Sequence, residues 1–119
     1  MSSIDQITQT SYGDYGTAPA PEDVYAIFEL TAKPGNADAL RDLMIPIVAK
    51  ARTEPGCKHC TLLELESEPN RFFTYEIWTG RAALEAHMAA PHVKELGSHL
   101  HPLLATRFKV DFLNAVSPG

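Results

Sequence analysis

The chain has 119 residues, 45% of them hydrophobic and 21% charged, which suits one ordinary globular domain and leaves no room for a separate cofactor-binding domain. Fifteen acidic residues against ten basic ones give a formal charge of −5 with no Lys/Arg cluster, which argues against nucleic acid and anionic membrane as partners. The longest apolar run, Leu43 to Ala49, is too short to cross a bilayer, and Met1 to Tyr15 has neither a basic leader nor an apolar core, so a cytoplasmic protein is expected.

Residues 1–22 are rich in Ser, Thr, Gly and Pro, lack periodicity and read as a tail or arm. The folded domain is expected over residues 23–116, with a short tail at 117–119. Val24 to Ala32 is β-branched and aromatic and is stopped by the turn Lys33-Pro34-Gly35. Asn36 can cap a helix in which Leu40, Leu43, Met44, Ile47, Val48 and Ala51 share one face, reaching Arg52 or Thr53. Pro46 falls between those apolar positions, where water can replace the lost backbone bond.

Pro55-Gly56 ends that helix, and His59 to Glu66 reads as a second strand. Ser67-Glu68-Pro69-Asn70 is the expected hairpin connection to a third strand, Arg71 to Trp78. Thr79 can cap a short helix with Ala83, Leu84, His87 and Met88 on one side, and Ala89-Ala90-Pro91 breaks its direction. Val93, Leu96 and Leu100 mark another helical stretch ending near Pro102, and Arg107 to Val116 supplies a last strand.

The order β-α-β-β-α-β predicts an α+β, ferredoxin-like fold with a four-stranded antiparallel sheet and all helices on one face. The other face should be polar in a monomer, yet Tyr25, Ile27, Leu63, Tyr75 and Ile77 fall there. A second copy about a two-fold axis is the simplest cover, so a homodimer is expected.

No phosphate-binding glycine loop, zinc-protease helix motif or serine elbow is present, which removes the usual support for nucleotide cofactors. His99 and His101 point different ways in a helix, and Cys57-x-x-Cys60 has no second pair, so no metal is assigned. The two cysteines precede a strand rather than open a helix and read as reduced thiols.

What remains is a cluster of Glu76 and Trp78 on one strand face, His87 on the apolar side of the next helix, and His92 just after Pro91. Glu76 shares its face with Phe72 and Trp78, so burial demands a partner or a shift toward the neutral, protonated form; a structural ion pair or a dimer-spanning hydrogen bond satisfies that demand without a catalytic role. Trp78 is either core or the wall of a pocket. His87 is either a hydrogen-bonded core histidine or a pocket acid/base, and His92 is either a solvent-facing helix start or part of the same site.

The segments Arg52-Thr53-Glu54-Pro55-Gly56-Cys57, Phe73-Thr74-Tyr75-Glu76-Ile77-Trp78, Ala83-Leu84-Glu85-Ala86-His87 and Pro91-His92 together resemble the antibiotic biosynthesis monooxygenase family, from Val24 to about Val116. The resemblance implies a dimeric α/β barrel, with a pocket in each subunit between its own sheet and helices. It implies that Thr74, Glu76 and Trp78 face that pocket near His87, and that relatives oxidise quinols or polyphenols with dioxygen, using neither metal nor flavin. This chain departs from the polyketide-tailoring members in having Thr74 in place of an Asn and Leu84 in place of a Tyr. It also lacks the first-strand Asn of the haem-degrading members.

The expected function is a cofactor-independent monooxygenase of a small quinol or polyphenol. His87 or Glu76 would handle the proton, Trp78 would pack the ring, and Thr74, His92 and Leu84 would bind substrate. The alternatives are a non-oxidative isomerase using the same acid and histidine, and a small-molecule-binding dimer without turnover. The last is favoured if Glu76 and His87 have their hydrogen bonds satisfied internally.

Overall fold

The computed structural model describes residues 20–117. The arm expected over residues 1–22 therefore lies outside the described residues up to residue 19, as does the C-terminal tail beyond 117. Strand β1 (Val24–Thr31) is followed by helix α1 (Ala37–Ala51), strands β2 (Cys57–Leu65) and β3 (Glu68–Trp78), helices α2 (Arg81–Ala89) and α3 (Pro91–Leu100), a 3₁₀ turn at His101–Leu103, and strand β4 (Lys109–Leu113). The sheet order is β2-β3-β1-β4 and every pairing is antiparallel, the ferredoxin-like α+β arrangement.

Alternation sorts the sheet into two faces. Ala26, Phe28 and Leu30 of β1 and Phe72, Thr74, Glu76 and Trp78 of β3 are all buried on the side that carries the helices. Leu40, Met44, Val48 and Ala51 of α1 bury against them at helical spacing. Pro46 sits on the exposed side of α1, so the helix continues through it. No helix among the described residues is long and apolar enough to cross a membrane.

Several element boundaries differ from the sequence reading. The β2–β3 connection is only Glu66-Ser67, because Leu65 already pairs with Glu68; Pro69 is accommodated beyond the last β1–β3 pair, Thr31 with Arg71. Helix α1 stops at Ala51, where Arg52 and Thr53 fold into turns on the Val48 and Lys50 carbonyls. Asn36 makes no side-chain capping bond, and Gly80 rather than Thr79 is the N-cap of α2. β4 is shorter than the alternation predicts, since pairing with β1 runs only from Lys109 to Leu113.

Gly56 fixes how the α1–β2 loop meets α2. Its φ of +86° is a left-handed conformation, and a Cβ there would lie 2.6 Å from the Ala83 Cβ and 2.9 Å from the Thr79 Oγ1. The Gly56 carbonyl accepts from the Thr79 N–H at 2.8 Å. The loop before β2 and the start of α2 are thus held in direct contact.

Candidate active site

The inner face of β3 carries a hydrogen-bonded triplet. Thr74, Glu76 and Trp78 alternate along the strand and so stand in a row on one side. The Thr74 hydroxyl donates to Glu76 Oε2 at 2.7 Å, and the Trp78 indole N–H donates to Glu76 Oε1 at 2.9 Å. Both oxygens of the buried carboxyl thereby have a protein donor, as burial of such a group requires.

His87 packs over this row from α2, its ring 4.6 Å from that of Trp78 and inclined by 32°. Its Nδ1 lies 2.5 Å from Glu54 Oε2. Glu54 stands in the α1–β2 loop, held by its N–H to the Ala51 carbonyl and by its own carbonyl accepting from the Cys57 N–H. A carboxylate only accepts, so Nδ1 donates, and in the neutral ring Nε2 keeps the lone pair.

The chain then turns at Ala90, whose ψ of 142° ends α2 and opens α3, with Pro91 at the first helical position. That turn brings His92 back to 6.2 Å from the His87 ring. His92 Nε2 is 3.6 Å from Glu54 Oε1 and is buried without a hydrogen-bond partner among the described residues. The ligand atoms of Glu54, His87 and His92 all lie within 4.8 Å of one another.

A cavity of about 220 Å³ opens between the sheet and the helices, beside this cluster. Its wall is mostly apolar, with Phe28, Met44, Val48 and Leu96 among its members, and Thr74, Glu76, His87 and Lys94 bring polar side chains and Cys60 a thiol. A larger groove of about 360 Å³ between α1 and β2 is lined by Arg41, Arg52 and Glu64 and contains no histidine. Burial pushes the Cys60 thiol well above its ordinary range and the Cys57 thiol to about 11, the charge of Glu76 adding to both. Neither cysteine is in a disulfide.

Of the residues singled out from sequence, Thr74, Glu76 and His87 line the cavity. Trp78 and Leu84 do not: Trp78 is fully buried behind the wall, packed with Ala26, Phe28 and Leu84. His92 also stands off the wall and turns to Glu54 instead. Sequence reasoning missed Glu54, although it sits inside the Arg52–Cys57 segment; the available signal was an acid placed directly before the Pro55-Gly56 turn. Lys94 was missed as well, one helical turn from the break at Ala90.

A family model described as antibiotic biosynthesis monooxygenase matches residues 23–97. The chain belongs to the antibiotic biosynthesis monooxygenase family. The family match stops within α3, while the fold continues to β4, which completes the sheet beside β1. Among solved structures, PA3566 from Pseudomonas aeruginosa is 29% identical with a TM-score of 0.76, covering 84% of this chain and 100% of its own. Rv0793 from Mycobacterium tuberculosis is 25% identical with a TM-score of 0.75, covering 81% and 97%. A structure described as an antibiotic biosynthesis monooxygenase is 29% identical with a TM-score of 0.74, covering 79% and 99%. The uncharacterised protein sll1783 of Synechocystis sp. is 30% identical over 86 residues, 72% of this chain; the match spans only 58% of that protein's length.

Proposed function

We propose that this family member is a cofactor-independent monooxygenase that oxidises a small quinol or polyphenol with dioxygen. The observation that carries the reading is that His87 lines a largely apolar cavity while its Nδ1 is held by Glu54. That leaves Nε2 as the ring nitrogen able to accept a phenolic proton. An ionised hydroquinone is electron-rich enough to reduce dioxygen itself. A hydroquinone and one dioxygen then give a hydroxyquinone and one water: the substrate supplies four electrons, one oxygen atom enters a new C–O bond and the other leaves as water. The protein's share is to bind, deprotonate and shield the ring.

Glu76 suits an orienting role better than proton transfer, because Thr74 and Trp78 already donate to its two oxygens. The same bonds support a second reading, a small-molecule-binding protein without turnover. Oxygen-electrode kinetics on a quinol panel separates the two: uptake above the uncatalysed rate supports the oxygenase, and saturable binding of the same compounds without uptake supports the binder.

The working form we infer is a cytoplasmic homodimer. Leu63 and Leu113 lie on the sheet face away from the helices, 51% and 43% exposed in the single chain, Leu63 opposite Phe73 and Leu113 opposite Tyr25. A second copy packed sheet to sheet would cover them.

A further inference from the structure

We propose that Glu54, His87 and His92 form a binding site for a divalent cation of the zinc type, distinct from the substrate cavity. Two imidazoles and one carboxylate are a standard three-ligand set for zinc, which leaves a fourth position for water. The groups come from three separate segments, the α1–β2 loop, α2 and the start of α3, and are already gathered within 4.8 Å. They are sheltered, with side chains 17% (Glu54), 8% (His87) and 22% (His92) exposed.

His92 Nε2 is the deciding atom. It is buried, it has no hydrogen-bond partner among the described residues, and it is aimed at Glu54 Oε1 across 3.6 Å. That separation is too long for a hydrogen bond. It is close to the edge of a tetrahedron with metal–ligand bonds of about 2.1 Å, an edge of about 3.4 Å. The 2.5 Å contact between His87 Nδ1 and Glu54 Oε2 is shorter than that edge because a proton occupies it. A cation replaces the proton, which moves to Nε2 of the same ring, and the two ligand atoms spread to make room.

Of the three residues only His87 also lines the cavity, so the ion would sit behind the wall rather than on a bound substrate. A cation on Nδ1 leaves Nε2 protonated and unable to take a proton from a phenol. Occupancy would therefore switch off the proposed oxidation. That consequence rests on the role of His87 proposed above; the binding itself does not.

The test uses Zn²⁺ and Co²⁺ with the full chain and no substrate. Calorimetry should show one Zn²⁺ bound per chain with micromolar or tighter affinity. Co²⁺ should quench the emission of the single tryptophan, Trp78, which stacks on His87 at 4.6 Å. Glu54→Gln and His92→Ala should each weaken binding at least about tenfold, with circular dichroism reporting their folding. The wild-type Co²⁺ spectrum decides the matter even if a variant misfolds, because an intense near-ultraviolet thiolate band would put the ion on Cys57 and Cys60 and overturn the assignment. Absence of saturable Zn²⁺ binding in the micromolar range, or equal binding by wild type and both folded variants, would overturn it too.

Discussion

His87 Nδ1 and Glu54 Oε2 meet at 2.5 Å across a sequence separation of 33 residues, joining the loop after α1 to the last turn of α2. The contact sets the tautomer of the neutral ring and, on the role proposed for His87, makes Glu54 its positioning residue. His87→Ala should lower kcat for quinol-dependent oxygen uptake by about two to four orders of magnitude. Glu54→Gln should lower kcat with little change in KM, because Glu54 is not on the cavity wall. Steady-state kinetics on both variants checks this, and a Glu54→Gln effect confined to KM would contradict it.

Trp78→Phe should act on stability before it acts on binding. The indole is fully buried behind the wall, and its N–H is one of the two donors to Glu76. Removing that donor strands a buried carboxyl oxygen and leaves a void, a loss of about 2–4 kcal/mol. Thermal denaturation should show Tm falling by about 5–15 °C. An unchanged Tm with weakened ligand binding would place the ring on the cavity instead.

Cys57 should make stability fall in alkali. Its folded thiol, pushed to about 11 by burial, stays protonated above the pH at which the unfolded thiol, ordinarily near 9, ionises. The contribution is complete below pH 9 and is lost as pH rises from 9 through 11. Urea titrations across that window should show a steeper loss in the wild type than in Cys57→Ser. Iodoacetamide should label Cys57 slowly at neutral pH in the native chain and rapidly once it is unfolded.

The proposed homodimer predicts twice the chain mass in light scattering on dilution to micromolar concentration. Leu63→Lys places a charge on the outer sheet face at a residue already half exposed in the single chain. It should therefore dissociate the dimer while leaving the far-ultraviolet spectrum of the subunit intact. A monomeric wild type would overturn the sheet-to-sheet packing.

Periodicity carried most of the fold. Leu40, Met44, Val48 and Ala51 bury at the helical interval read from the chain, and Phe72, Thr74, Glu76 and Trp78 share a face as their alternation requires. Strand ends were less legible, because the Leu65–Glu68 pairing that tightens the hairpin is a contact between strands rather than a property of either. The site was half visible. A carboxyl amid apolar neighbours marked Glu76, but its two donors depend on rotamers. Glu54 was invisible as a partner because only the folded loop brings it to His87. Alternation put Trp78 on the helix-bearing face but left core and pocket wall both open, since it says which way a side chain points and not what another element lays over it.

The break at Ala90 makes the distance between the two histidines inelastic. His87 lies in the last turn of one helix and His92 in the first turn of the next, and Ala90 is the only residue between the helices. One added residue there would lengthen the extended connection by up to about 3.5 Å and carry the His92 ring away from Glu54. The five-residue interval from His87 to His92 therefore serves as a ruler for comparing related chains. A relative that keeps both histidines but changes the interval would keep the residues and lose the three-group cluster.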